Sequence, residues 1–469
     1  MAKKIQIIES LKIIDLAEKG RGVGKENGRV IFVPKTIPGD IVDVRVIKKR
    51  RDYLEARKIK THYQSVDRVE AFCQHANICG GCPIQSLDYK KQLIYKQKLV
   101  DDAFKRIAKD ETHNISPIIP SEKLRHYRNK LEFTFSEYAW IPEEDMALEN
   151  RPEVKNVLGF HVPGRFDKVL NIETCYLQND VHNKIRNRIA EHARQKKYSF
   201  YNIRANTGFL RNLIIRTTTL GEIMVLLSVA ENNTEAIEEI LNLLQEEFPE
   251  ITSFNYVVNE KMNDSIHDLE VQHFSGSTHI EECLGPLRFK IRPKSFFQTN
   301  TLQAINLYNI VKDFASVSKE NIVFDLYAGT GTIANIIAAE AKKVIGIELI
   351  SEAIEDAKEN AILNGIDNAR FFVGDVKDSF VSDIFQSEGK PDIVITNPAR
   401  AGMHGNVIKE LIKIAPERII YVSCNPSTQA RDVALLKEKY QIVKRQAVDM
   451  FPHTMHVENV VLLKKISTE

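Results

Sequence analysis

Apolar and polar positions change rhythm three times along the chain. Up to about residue 62, the short runs RVIFVP, DIVDVRVIKK and YLEARKIKTH alternate between the Gly and Pro turns GRGVG and TIPGD, a pattern that predicts a small β-barrel. CQHANICGGCPIQ breaks this rhythm. It is followed by YKKQLIYKQKLVDDAFKRIA, whose apolar residues recur at helical spacing. From about 124 to 275 strands dominate, with KLEFTFS, NLIIRTTT and EIMVLLSVA separated by turns and one helix near 234 to 247. After residue 285, NIVFDLYAGTGTIANIIAAEAKKVIGIELISEAIEDAKENAILNGIDNARFFVGDVKD reads strand, Gly turn, helix, strand, helix, strand. PDIVITNPARAG, a helix at 406 to 415 and RIIYVSCNPST complete it. Strands separated by single helices pair in parallel with right-handed crossovers, so this part is expected to be a doubly wound α/β sheet. The expected division is a barrel at 1–64, a central α+β domain at 65–280 and an α/β domain at 281–469. No internal repeat or low-complexity linker interrupts it.

Composition narrows the class. A chain of 469 residues exceeds one core, and 43% hydrophobic with 27% charged residues is ordinary for a globular protein. No stretch approaches the roughly 18 uncharged apolar residues of a membrane span. MAKKIQIIES lacks the apolar core and small-residue cleavage site of a signal peptide, so a cytoplasmic protein without membrane contact is expected. Charge is uneven. Residues 1 to 62 carry sixteen Lys and Arg against eight Asp and Glu, a local +8 in a chain of net +2. KKRRDYLEARKIK (48 to 60) is the densest part, and such a surface suits the phosphates of a nucleic acid.

Candidate chemistry concentrates in the last third. DLYAGTGT (325 to 332) ends a strand in a Gly turn that opens a helix, without the spacing of a dinucleotide fold or the lysine of a phosphate loop. Glu348 ends the next strand, where a carboxylate accepts both hydroxyls of a ribose, and Asp375 and Asn397 end the two after it. Polar groups at successive parallel strand ends define a ligand crevice resembling the S-adenosylmethionine fold of methyltransferases. Six cysteines in a reducing compartment read as metal or redox chemistry rather than disulfides. Cys73, Cys79 and Cys82 form C-x5-C-x2-C, with Cys175 as a distant fourth. Their spacing alone leaves zinc and an iron–sulfur cluster equally open. Cys283 reads as core, and Cys424 ends a strand just before Asn425 and Pro426.

YRNKLEFTF (127 to 135), GFLRNLIIR (208 to 216), SFFQTN (295 to 300), DLYAGTGT, NPARAG, SCNPSTQARD and DMFPHTMHVE (449 to 458), with the basic barrel and the cysteine cluster, resemble the RNA uracil-C5 methyltransferases over the whole chain. That resemblance implies a TRAM-type barrel and makes Cys424 the nucleophile and Glu458 the base of an S-adenosylmethionine-dependent methylation. Uracil C5 is too weak a nucleophile to take a methyl group until a thiolate adds at C6, after which a base must remove the C5 proton. Cys424 must ionise to attack, and its polar turn with Arg400 and Arg431 nearby suggests a lowered pKa. The resemblance further implies cofactor contacts at Gln298, Tyr327, Thr332 and Glu348, with Asp375 near the adenine. Relatives commonly carry Asp where this chain has Asn397, which puts in doubt any role needing an anion there. It favours a [4Fe–4S] cluster on the four cysteines over zinc, in a structural or RNA-positioning role. A monomer acting on RNA rather than DNA is implied, with 23S ribosomal RNA preferred to the T-loop of transfer RNA. Phe296 and Phe297 are expected to pack rather than stack on bases, and His453 and His456 to pack or orient.

Overall fold

A computed structural model describes residues 6–76, 78–110, 115–141, 155–378 and 380–466. Strands β1 (Ile7–Ala17), β2 (Arg21–Glu26), β3 (Arg29–Val33), β4 (Ile41–Lys49) and β5 (Tyr53–Tyr63) close into a barrel in the order β1-β2-β3-β5-β4. Alternation explains it: Ile13, Ile31, Val33, Val42, Val44, Leu54 and Ala56 point inward, while Lys48, Lys49, Arg50 and Arg51 stay exposed. Gly22 is required by packing, since a Cβ there would lie 2.1 Å from Thr36 Oγ1.

After the cysteine loop, α1 (Tyr89–Ala103) starts at Asp88, whose carboxylate accepts from the backbone N–H groups of Lys90 and Lys91. Next comes β6 (Ile115–Ile119). The central sheet holds β7 (Lys130–Tyr138), β8 (Lys155–His161), β9 (Val169–Asn171), β10 (Leu210–Thr217), β11 (Ile223–Val229), β12 (Ile251–Val258) and β13 (Gln272–Gly276). Their order is β13-β12-β11-β10-β7-β8-β9. Two helices belong to this region, α2 (Asp180–Gln195) and α3 (Thr234–Glu247), whereas the sequence reading expects one. Its apolar stripe hid α2, because the helix buries His182, Asn183, Arg186 and His192 beside its aliphatic residues.

A hairpin of β14 (Ile280–Leu284) and β15 (Leu287–Ile291) leads to α4 (Thr301–Ala315) and the second large sheet. Cys283 is half-buried in this hairpin, which corrects the expectation of a core residue: its strand covers only one side. The sheet comprises β16 (Ile322–Leu326), β17 (Lys343–Glu348), β18 (Ala369–Val373), β19 (Ile393–Thr396), β20 (Arg418–Ser423), β21 (Tyr440–Val448) and β22 (Glu458–Lys465) together with β6. Between the strands run α5 (Thr332–Ala338), α6 (Ser351–Leu363), α7 (Phe380–Glu388), α8 (Gly405–Ile414) and α9 (Pro426–Leu436). The order is β18-β17-β16-β19-β20-β22-β21-β6. The first five are mutually parallel, as the helix-separated pattern requires. Both faces are apolar cores, with Val323, Val344, Ile393 and Ile420 on one side and Phe324, Ile345, Val394 and Ile419 on the other. β22 runs antiparallel to β20 and to β21, while β6 joins the far edge from the front half of the chain. No helix among the described residues is long and apolar enough to cross a membrane.

Candidate active site

The switch point of the parallel sheet lies between β16 and β19, where successive connections leave in opposite directions and open a crevice at the strand ends. Tyr327 and Asn397 flank it. Tyr327 adopts φ 65, and Gly329 and Gly331 are also left-handed, so the chain doubles back sharply before α5. A Cβ on Gly331 would sit 2.8 Å from the Cβ of Ala357. Glu348 holds this turn together: its Oε2 accepts from Gly329 N–H at 3.1 Å, and its Oε1 accepts from Leu349 and Ile350 at 2.8 and 3.1 Å.

Asp375 pairs with Lys377 at 2.7 Å, which holds its carboxyl below the usual range. Burial, reinforced by Asp375, Asp432 and Glu348, pushes the Tyr327 phenol up to about 12, keeping it a neutral donor. Thr332 starts α5, and Gln298 is buried in the loop before α4, where its carbonyl accepts from Asn129 Nδ2 at 2.9 Å. One acid escaped the sequence reading. Asp325, inside β16, is 1% exposed and pushed up to about 7 by burial, then by the charge of Glu348. Its Oδ2 accepts from Ala334 N–H at 3.0 Å, while its Oδ1 has no partner.

Register brings the nucleophile and base candidates together across 33 intervening positions. β20 and β22 are antiparallel with Ser423 opposite Asn459, so the next residues outward, Cys424 and Glu458, face each other at the same end of the ladder. Cys424 also lies one residue ahead of α9, whose N-cap Asn425 accepts from Ser427 N–H at 3.1 Å and whose first residue is Pro426. Asn425 Nδ2 and Thr428 Oγ1 donate to the carbonyl of Arg400 at 3.1 and 3.0 Å, locking the 397–402 loop onto this helix.

Electrostatics correct one expectation. The Cys424 thiol is raised, not lowered: burial dominates and the charge of Glu458 adds to it, against the opposing pull of Arg400. Arg431 is turned away, toward Asp432 and the carbonyl of Ala401. Glu458 is 5% exposed, and burial pushes its carboxyl up to about 8, again opposed by Arg400. Arg400 is therefore the cation shared by thiol and carboxyl. Its Nη2 donates to His456 Nδ1 at 2.7 Å, which requires a neutral ring with the proton on Nε2. Burial and Arg400 depress His456 to about 4, consistent with that tautomer. His453 points elsewhere, its Nε2 donating to the Leu124 carbonyl at 3.1 Å.

Next to Arg400 and His456 opens a cavity of about 690 Å³ that reaches the cysteine loop. Cys73, Cys79, Cys82 and Cys175 all line it. Burial pushes Cys79 up to about 11 and Cys82 further, and the neighbouring thiols add to both shifts. Among the described residues no three His, Cys, Asp or Glu side chains are gathered around a single metal-sized point. Phe297 packs into the core as expected, but Phe296 is 68% exposed on the cavity wall and is available for stacking.

Comparison with known proteins agrees with this geometry. Residues 284–466 match the model of the tRNA (uracil-5-)-methyltransferase family, and residues 8–59 match the TRAM domain. An RNA methyltransferase of Bacteroides thetaiotaomicron is 49% identical over 96% of this chain and all of its own length. One from Porphyromonas gingivalis is 48% identical, covering 97% of this chain and 99% of its own. Among solved structures, the tRNA (uracil-54, C5)-methyltransferase of Pyrococcus abyssi in complex with S-adenosyl-L-homocysteine is 31% identical with a TM-score of 0.76. That match covers 97% of this chain and 100% of the other.

Proposed function

This chain belongs to the RNA uracil-5-methyltransferases with a TRAM domain, and from that membership we propose that it methylates C5 of a uridine in 23S ribosomal RNA through a covalent bond between Cys424 and C6. Its methyl donor is S-adenosylmethionine, a sulfonium that supplies an electrophilic methyl group. The observation that carries the covalent reading is the facing pair of Cys424 and Glu458 at the end of the β20/β22 ladder, with Arg400 between their charges.

Neighbouring charge orders the steps. Thiolate and carboxylate disfavour each other in this buried place, so the site accommodates one negative charge beside Arg400. During addition that charge is on sulfur; the S–C6 bond forms and the C5–C6 electrons become the nucleophile that takes the methyl group. Sulfur is then a neutral thioether, and Glu458 is free to ionise. Its carboxylate removes the C5 proton, the C5–C6 double bond returns and the thiolate leaves. In this reading Glu348 would accept ribose hydroxyls, Tyr327 would cover the adenosine, and Asp375 would meet the adenine edge. Gln298, Thr332 and Asn397 complete the proposed crevice. Asn397 offers an amide donor and no charge, so the step is written without an anion there.

A [4Fe–4S] cluster on Cys73, Cys79, Cys82 and Cys175 belongs to the same proposal. The four thiols line one cavity, and the charges of Cys73 and Cys175 reach Cys79 and Cys82, so these four would hold the cluster. Its role would be to order the cavity wall, since methyl transfer moves no net electrons. Anaerobic purification with iron and sulfide analysis tests it.

The Pyrococcus likeness supports a second substrate, a transfer RNA T-loop uridine. Labelled methyl transfer to total RNA from cells lacking the gene distinguishes the two. Label in 5-methyluridine of 23S RNA supports the first reading, and label in transfer RNA replaces it with the second. Cys424→Ala is expected to abolish transfer while leaving RNA affinity within about twofold, because the thiol contributes a bond and little contact area.

A further inference from the structure

The cavity between the cysteine loop and the catalytic loops is rich in cations and poor in carboxylates. Arg128, Lys130, Arg216 and Arg400 all line it, and none of them is within ion-pair distance of a carboxylate among the described residues. Arg128 Nε donates to the Lys130 carbonyl at 3.0 Å, and Arg400 is engaged by neutral His456. Glu132 is the acid on this wall, and burial raises its own pKa, which weakens it as a counter-ion.

Two of these cations stand out by burial. Arg216, at the end of β10, is 4% exposed, and among the described residues its side chain makes a single hydrogen bond, from Nη1 to the Ser295 carbonyl at 2.9 Å. Its register partner on β7 is Lys130, whose half-buried ammonium makes no hydrogen bond among the described residues. Burial lowers Arg216 to about 10. Burial and then the charge of Arg216 lower Lys130 to about 8. Glu132 pulls Lys130 the other way but is itself weakened by burial, so two adjacent like charges sit partly out of water with little to balance them, which is costly. An anion entering the cavity would remove that cost.

We propose that Lys130 and Arg216 form a seat for one backbone phosphate of the RNA, next to the nucleotide whose base reaches Cys424. The cross-strand pair presents an ammonium and a guanidinium side by side at the cavity wall, an arrangement that complements the two free oxygens of a phosphodiester. Exposed Phe296 on the same wall gives an adjoining base an aromatic face. This assignment rests on the RNA methyltransferase reading but not on the covalent step.

The test uses the full-length protein and fluorescent decauridylate as probe. Lys130→Met should weaken binding about tenfold and flatten the dependence of log affinity on log salt by about 0.7, the loss of one single-strand phosphate contact. S-adenosyl-L-homocysteine affinity, read by calorimetry, should not change, and the melting temperature without RNA should stay the same or rise. Arg216→Lys keeps the charge and loses the fork, so it should weaken binding without altering the salt slope. An unchanged slope and affinity in Lys130→Met would overturn the seat. So would a parallel loss of S-adenosyl-L-homocysteine affinity, which would give the anion to the cofactor's carboxylate. A lower melting temperature with an unchanged slope would overturn it too, leaving Lys130 a role in folding alone. Failure of the wild type to form 5-methyluridine would count against the covalent reading and leave this binding test legible.

Discussion

Glu458 shows how one residue's environment sets both chemistry and stability. Its carboxyl is raised to about 8 in the fold against about 4.3 in an unfolded chain. The native state therefore keeps its proton over that window while the unfolded state loses it, and stability falls as pH rises from the lower value to the higher. Glu458→Gln removes the effect. Its melting temperature should exceed that of the wild type by a margin that grows between pH 5 and pH 9, reaching on the order of 5 kcal/mol in stability. The same variant should lose turnover yet accumulate an RNA–protein adduct that survives denaturing electrophoresis, because addition proceeds and proton removal does not. A variant that turns over at the wild-type rate would remove Glu458 from the mechanism. Cys424 and Glu458 were legible as residues in the sequence. Their mutual suppression was not, since it arises from a burial that no local pattern specifies.

Among elements, the segment from 449 to 456 is the one that the rest of the chain holds in place. Lys96, in the middle of α1, is fully buried and donates to Asp449, and to the Phe451 carbonyl at 2.9 Å. Tyr89 donates to the other Asp449 oxygen at 2.8 Å, and Gln92 accepts from His453 N–H at 2.9 Å. His456 and Glu458 follow directly, so α1 braces the proposed base and the partner of Arg400 from behind. Burial lowers the Lys96 pKa, with Asp449 opposing. Lys96→Met should cost about 3–5 kcal/mol in denaturant unfolding, since it strands a buried carboxylate. Lys96→Met with Asp449→Leu should recover most of that loss, because two apolar groups leave no buried charge. Equal instability of the single and double variants would argue that the ion pair is not the main contribution. Helical periodicity indicated α1, but it does not set Lys96 apart from the other lysines of that strongly charged pattern. In the fold α1 packs against α9 and β6, and Lys96 is buried where the 449–456 loop meets the helix.

For the molecule as a whole, a small shared core joins barrel to site. Leu16 and Ile37 of the barrel region pack with Ile84 and Leu87 of the cysteine loop and with Met455 beside the base, so the basic barrel is tied to the catalytic loops. Lys48, Lys49, Arg50 and Arg51 are exposed on that barrel and offer phosphate contacts that carry no sequence information. Replacing all four with Gln should flatten the salt dependence of RNA affinity by up to about 3 and leave methyl transfer at saturating RNA unchanged. A fall in the saturated rate instead would mean that the barrel shapes the substrate as well as holding it.

The sequence by itself determined the barrel, the parallel α/β sheet and the Gly turn with its strand-end acids, and its motifs singled out Cys424 and Glu458 through a family resemblance. Each depends on short-range periodicity or on contiguous motifs, which local chain stereochemistry imposes. Tertiary structure decided what depends on distant neighbours. It paired β20 with β22 so that Cys424 meets Glu458, added β6 to the far edge of the sheet, gathered four cysteines around one cavity and set Lys130 beside Arg216 on the wall of that cavity. Register and burial are properties of pairs of segments, and the free energy that fixes them appears only when those segments meet.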